Sequence, residues 1–183
     1  TMTEVTKVLA ANAAAVLAVG TCAAYGGIPA GKGNETGAMG VSAFLKKEGI
    51  PAPVINIPGC PPHPDWIVGT IALALQKIKE KGLEAGLAEV VSLLDSEGRP
   101  LPFYGRNVHE NCPYLGKYDE GKFSATFTEK DGCRYDLGCK GPGAYCDSFE
   151  RKWNGVNWCV ANAICIGCTE PSFPDGQSPF YSN

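Results

Sequence analysis

The stretch AVLAVGTCAAYGG, residues 15–27, joins a continuous apolar run to a glycine-rich segment that carries Cys22. An apolar run that ends at a glycine is typical of a strand buried on both faces. The run PVINIPG, residues 53–59, has the same character and is followed directly by Cys60. These stretches therefore predict two buried strands, each with a cysteine just beyond its carboxyl end.

Helical patterns flank and separate the two strands. They are TEVTKVLAANA (3–13), VSAFLKKEG (41–49) and HPDWIVGTIALALQKIKEKG (63–82). In the last of these, apolar residues recur at helical spacing, and Lys and Glu gather near the end. A strand, a crossover helix and a second strand predict an α/β domain with a doubly wound parallel sheet, which we place at residues 1–98.

The periodicity fades in residues 99–183, where Gly, Pro, aromatic and Cys residues dominate. The pattern predicts short helices only around residues 144–153 and 157–164. A segment this irregular buries little surface through regular secondary structure, whereas bound metal supplies folding free energy directly. We therefore expect a C-terminal domain that is organised by metal.

Composition excludes several functional classes. With 19% charged residues and a formal net charge of -3, the chain gives no sign of nucleic-acid binding. No apolar run reaches the roughly 18 residues that a membrane-spanning helix needs, and no secretory signal pattern is present. The opening TMTEVTKVLA reads as if the chain were entered partway through a longer protein, so we expect a missing N-terminal segment.

Cys22 and Cys60 follow two strands of one predicted sheet. In an open parallel sheet, ligands gather in the crevice outside the carboxyl ends of the strands, so both thiols are expected to face one site. Two thiols do not complete a four-ligand site. We expect the other two upstream of Thr1.

The remaining cysteines predict two further sites. His109 and Cys112 are three residues apart in HENC, close enough to bind one centre from a single turn, and two cysteines follow in a glycine-rich stretch. The first set is His109, Cys112, Cys133 and Cys139. Three more cysteines crowd the segment NWCVANAICIGCTEP (157–171). The second set is Cys146, Cys159, Cys165 and Cys168.

Disulfides, zinc and iron–sulfur clusters are the alternatives for these thiols. Nine cysteines leave one over in any full set of disulfides, and 183 residues can bury a core without them. A zinc-stabilised interaction module stays open, but zinc sites commonly pair two C-x2-C knuckles, and one such knuckle occurs here. Iron–sulfur clusters accept scattered ligands, often with a proline after a cysteine, as in Cys60-Pro61 and Cys112-Pro113. Spacing therefore favours iron–sulfur clusters.

Five segments, in order, resemble the small subunit of nickel–iron hydrogenases. They are GTCAAYGGIPA, PGCPPHPDWIVG, HENCPYLGKYD, LGCKGPG and NWCVANAICIGCTEPSFPDGQSPFY. The resemblance runs along nearly all 183 residues but covers only the latter part of the family's usual chain, without its opening C-x2-C. The first half also resembles the cluster-bearing subunit of respiratory complex I. The second half favours the hydrogenase family, because the complex I subunit lacks the histidine site and the final cysteine group.

The resemblance implies a partial flavodoxin-like sheet domain, an irregular cluster-binding domain and three 4Fe-4S clusters. Cys22 and Cys60 would bind the proximal cluster, with two thiols from the missing segment. The distal cluster would take His109, Cys112, Cys133 and Cys139. The medial cluster would take Cys146, Cys159, Cys165 and Cys168.

Two positions of the medial set depart from the common family pattern. Many relatives have proline where Cys159 stands and hold a 3Fe-4S cluster, whereas a cysteine there resembles the nickel–iron–selenium branch and implies a 4Fe-4S cluster. The family's first medial ligand is expected where Ser148 stands, two positions after Cys146. Either the loop is rebuilt around Cys146 or the correspondence shifts here.

The resemblance also implies a function. The chain would be the electron-transfer subunit of a periplasmic uptake hydrogenase, an oxidoreductase acting on H2. Its catalytic nickel–iron centre would lie on a separate large subunit, so no catalytic residue is expected in this chain. Electrons from H2 oxidation, or towards proton reduction, would pass between that centre and an external carrier such as a c-type cytochrome.

Overall fold

The computed structural model describes residues 1–152, 161 and 163–182. The chain forms two compact units, Thr1–Pro102 and Phe103–Asn183. The sequence placed this boundary after residue 98.

The first unit contains most of the regular structure. Its elements are α1 (Met2–Ala11), β1 (Val16–Val19), α2 (Thr21–Tyr25), a 3₁₀ helix (Ile28–Ala30), α3 (Val41–Lys47), β2 (Val54–Ile57), α4 (Pro64–Lys81) and α5 (Leu83–Ser92). The junction and the second unit contain α6 (Leu101–Tyr104), α7 (Leu115–Asp119), a 3₁₀ helix (Gly141–Gly143), α8 (Ser148–Arg151) and a 3₁₀ helix (Asp175–Gln177). The helix expected around 157–164 falls mainly outside the described residues.

The sheet of the first unit consists, among the described residues, of β1 and β2. They pair in parallel, with Val16 opposite Val54 and Val19 opposite Ile57. Ile57 is fully buried, as a central strand position requires. The predicted α/β class, with a parallel sheet ahead of an irregular second half, is confirmed.

Helices α4 and α5 form a hairpin through Gly82. This residue has a φ of 82°, a backbone conformation that glycine adopts readily. The packing is close, because a Cβ on Gly86 would lie 2.6 Å from the Ile78 backbone. Lys77 and Glu89 join the two helices by an ion pair of 2.6 Å. The sequence patterns predicted α4 but not α5.

Apolar side chains of the first unit are unevenly buried. Trp66 of α4 is 1% exposed, whereas Leu75 of the same helix is 62% exposed. Val8 and Leu9 of α1 are also exposed. In this unit, part of each apolar helix face is therefore open.

Candidate metal centres

The loops that carry Cys22 and Cys60 are held side by side. Cys22 lies in the first turn of α2, which follows β1, and Cys60 follows β2. The Thr21 N–H donates to the Gly59 carbonyl at 3.1 Å, and the Gly59 N–H donates to Thr21 Oγ1 at 2.8 Å. Thr21 is 1% exposed, so this reciprocal pair is shielded from water. The parallel pairing is thereby extended beyond both strands, up to the two cysteines.

The two thiols of this pair interact. The pKa of Cys60 is raised, first by partial desolvation and then by the neighbouring Cys22 thiol. Gly27 closes over Cys22 with a φ of 50°, and a Cβ there would lie 3.0 Å from Cys22 Sγ. Both cysteines are exposed in the chain. They can therefore contribute to one centre while leaving room for further ligands.

Four predicted ligands of the second unit border one small cavity. They are His109, Cys112, Cys133 and Cys139. Backbone pairing brings them there: the Val108 N–H donates to the Ala144 carbonyl at 2.8 Å, which aligns the segment before His109 with the segment after Cys139. The donor set of one imidazole and three thiols is therefore assembled by the fold.

The imidazole of His109 is oriented by its neighbours. The backbone N–H of His109 donates to Asn107 Oδ1 at 2.7 Å. The imidazole ring contacts the Tyr118 ring edge-to-face, with 4.4 Å between the ring centroids. Tyr118 also makes edge-to-face contacts with Phe123 and Tyr135. Aromatic contacts of this kind stabilise one ring orientation.

The thiols around this cavity are crowded. Burial raises the pKa of Cys133, and the thiols of Cys112 and Cys139 raise it further. Burial also raises the pKa of Cys139, although the Gly141 N–H donates to its Sγ at 3.4 Å. A bound cation would offset this cost, because metal ligation favours the thiolate.

Arg134 borders the same cavity and was not singled out from the sequence. It is 2% exposed, and its guanidinium donates to the Ala163 carbonyl at 3.2 Å and the Phe127 carbonyl at 3.4 Å. It lies over the Tyr114 ring, 6.0 Å from the centroid. A charged residue in an irregular segment reads as solvent-exposed, so no sequence signal pointed to its burial.

A second small cavity is bordered by Cys146, Cys165 and Cys168. Cys159, the fourth predicted member of this set, lies outside the described residues. Ser148 borders the same cavity, and the Cys146 thiol donates to Ser148 Oγ at 3.1 Å. The fold thus brings Cys146 to the cavity of the other two thiols.

The second cavity lies near buried carboxylates. Burial is the first cause of the raised pKa of Cys146, and Asp147 and Glu170 raise it further. Glu170 accepts hydrogen bonds from the Tyr145 N–H at 2.7 Å and the Thr169 hydroxyl at 3.1 Å. Burial also raises the pKa of Cys165 well above its ordinary value.

The two cavities are neighbours that share a wall. Val108 and Phe149 border both. The Lys140 N–H donates to the Cys165 carbonyl at 2.8 Å, and a hydrogen bond from the Cys165 backbone acts to lower the pKa of Cys139. Backbone hydrogen bonds therefore link Cys165 of the second cavity to Cys139 of the first and to its neighbour Lys140.

The eight cysteines within the described ranges are all free thiols. In the same ranges, no three His, Cys, Asp or Glu side chains meet at a single-ion position. Nor does any described helix combine the length and apolarity needed to cross a bilayer.

Comparison with known families assigns the two halves of the chain. The family model for the C-terminal region of the NiFe/NiFeSe hydrogenase small subunit matches residues 104–181. The family model described as "NADH ubiquinone oxidoreductase, 20 Kd subunit" matches residues 1–74. The first half is therefore shared with complex I, as its motifs indicated, and the second half matches the hydrogenase subunits.

Individual relatives agree with this assignment. The chain is 56% identical over 182 residues to the periplasmic [NiFeSe] hydrogenase small subunit of Desulfomicrobium baculatum, covering 99% of this chain and 56% of that protein. It is 40% identical to the periplasmic [NiFe] hydrogenase small subunit 1 of Nitratidesulfovibrio vulgaris, covering 100% of this chain and 55% of the relative. The chain thus spans a little over half the length of these relatives.

A solved structure gives the same result. The recombinant [NiFeSe] hydrogenase from Desulfovibrio vulgaris Hildenborough in the oxidised state matches with a TM-score of 0.96 and 72% identity, over 100% of this chain and 65% of that one. The agreement covers both sequence and backbone. The chain belongs to the family of NiFe/NiFeSe hydrogenase small subunits.

Proposed function

We propose that this chain is the electron-transfer part of a nickel–iron hydrogenase, relaying electrons between a catalytic centre on a large subunit and an external carrier. The observation that carries the proposal is the cavity bordered by one imidazole and three thiols, with a second thiol-bordered cavity beside it. Such donor sets suit metal centres, and two adjacent centres suit a relay. Residues 1–183 contain no proposed catalytic residue.

Iron–sulfur clusters fit these sites by the chemistry of their donors. Membership of the family implies such clusters, and their number and type are our proposal. Thiolates, with an occasional imidazole, are the ligands that hold them. Gly141 leaves space at the first cavity, since a Cβ there would lie 3.4 Å from Cys139 Sγ. When bound, these clusters accept and release single electrons.

We assign three 4Fe-4S clusters to the predicted ligand sets. The distal set is His109, Cys112, Cys133 and Cys139. The medial set is Cys146, Cys159, Cys165 and Cys168. The proximal set is Cys22 and Cys60 with two thiols from outside residues 1–183.

The residues around each site would adjust its chemistry. His109 is a neutral ligand, so it removes one negative charge relative to a thiolate and favours the reduced state of its centre. Val108 and Phe149 place apolar side chains between the two cavities. The Gly141 N–H donates to a ligand sulfur, which also favours reduction.

The partners follow from the same proposal. A large subunit would carry the nickel–iron centre, and a carrier such as a c-type cytochrome would exchange electrons at the distal end. The relatives named above are periplasmic hydrogenase subunits, and we propose the same compartment for this protein.

Metal and sulfide analysis tests the proposal against a zinc-stabilised module. We expect the purified hydrogenase complex to contain iron and acid-labile sulfide, with anomalous scattering at the iron absorption edge in both cavities of the second unit. A colourless complex that contains zinc and no sulfide would refute the electron-transfer function. Zinc bound to the purified large subunit alone serves as the background control.

Spectroscopy tests the medial cluster type separately. If Cys159 is a fourth ligand, electron paramagnetic resonance of the oxidised complex should show no 3Fe-4S signal. A strong 3Fe-4S signal at one spin per complex would remove Cys159 from the ligand set, while leaving the relay itself in place.

A further inference from the structure

We propose that Arg134 raises the reduction potential of the distal centre, and so favours electron flow towards the distal site. Arg134 is not a ligand of this centre; it acts by placing a positive charge beside the ligands. The inference rests on the proposed function.

The first observation is the location of the guanidinium. Among the described residues that border the distal cavity, Arg134 is the one with a permanent charge, and it is 2% exposed. It follows Cys133 directly in the chain. Its guanidinium carries a delocalised positive charge.

The second observation is how this charge is held. The guanidinium donates to two backbone carbonyls, those of Ala163 and Phe127, and contacts the face of Tyr114. These partners are neutral. Arg134 has further interactions, and these three contacts fix the cation beside the cavity.

An added electron is stabilised by a nearby positive charge, and the effect is strong where water is excluded. Cluster potentials respond to net charge and burial in this way. With the neutral ligand His109, Arg134 therefore stabilises the reduced state of the distal centre.

Redox titration of the intact complex tests the proposal. Arg134→Gln removes the charge and keeps hydrogen-bonding capacity, Arg134→Lys keeps the charge, and Lys130→Gln removes one exposed charge of the same unit as a matched control. The readout is the reduced-to-oxidised ratio of the distal centre, followed by electron paramagnetic resonance at fixed ambient potentials. For Arg134→Gln we expect this ratio to fall about tenfold, equivalent to about 59 mV for one electron.

The controls define the result that overturns the inference. Arg134→Lys should retain most of the wild-type ratio, and Lys130→Gln should leave it unchanged. An unchanged ratio in Arg134→Gln, or an equal fall in Arg134→Lys, would show that Arg134 acts through structure and not through charge.

Iron content separates assembly from tuning. If the Gln variant loses the distal centre, Arg134→Met replaces it as the uncharged variant of similar length. Loss of the centre in Gln and Met variants with retention in Lys supports the role of the charge, whereas loss in all three refutes it. Wild-type complex without iron and sulfide would refute the proposed function itself, which is a different outcome.

Discussion

Replacing Thr21 with Val tests how the strand-end cysteines are held. Val has nearly the shape of Thr but no hydroxyl, so the Gly59 N–H loses the acceptor that lies 2.8 Å away. Both residues are buried, and water cannot readily take the place of the lost oxygen. A buried donor left without its acceptor costs about 1–3 kcal/mol. The equilibrium for local opening of the Gly59 loop should therefore rise by a factor of about 5–150.

Hydrogen–deuterium exchange in the intact complex measures this opening. Peptides that cover PGCPP (58–62) are informative, because proline has no amide hydrogen and only Gly59 and Cys60 report there. Thr21→Ser is the matched control: it keeps the hydroxyl and loses one methyl group, at a cost of about 0.8 kcal/mol. We expect fast exchange in Thr21→Val and exchange close to wild type in Thr21→Ser. Equal protection in the Val variant and the wild type would refute the role of this hydrogen bond.

Three other perturbations give independent tests. Gly27→Ala places a methyl group 2.8 Å from the Cys22 backbone nitrogen, so we expect this variant to lose about one cluster's iron. Gly33→Ala is the control. Gly33 has a φ of 99° and open space around it, so this variant should keep the full iron content. In protein stripped of clusters, burial raises the pKa of thiols such as Cys165. At pH values above about 8.5, where the thiols of the unfolded chain lose their protons, the folded state therefore binds more protons than the unfolded state. The free energy of unfolding should therefore fall as the pH rises past about 8.5, whereas thiols already bound to clusters should show no such fall, and a flat profile for the stripped protein would contradict this reasoning. The variant His109→Ala should change the spectrum of the distal cluster and slow electron delivery to the carrier. It should leave intact the isotope exchange of H2 that the large subunit catalyses. An unchanged spectrum would remove His109 from the ligand set.

The parts of the fold that the sequence predicted have strong periodic signals. The strands at 15–20 and 53–59 and the helix at 63–82 correspond to β1, β2 and α4. Helix α2 has five residues and follows Gly20, which has a φ of 90°, so its formation depends on the adjoining strand ends and not on a helical pattern. Helix α5 follows Gly82 and contains Gly86, and glycines at both positions indicate an interrupted helix in the sequence. In the structure, the missing Cβ of Gly86 is what permits the close packing of α5 on α4.

The candidate site could be grouped from the sequence because ligand types are rare and their spacing is informative. The four distal candidates and three of the medial candidates border their respective cavities, and their binding of clusters stays a prediction. Arg134 could not be found in this way. Its role depends on burial within an irregular segment, and such burial arises only from tertiary contacts.

The wall of Val108 and Phe149 makes the shapes of the two cavities interdependent. A larger or smaller side chain at either position would alter the shape of both cavities at once, since each residue borders both. Substitutions on opposite sides of this wall should therefore combine non-additively in a double-mutant cycle. A change to this wall therefore cannot be confined to one cavity.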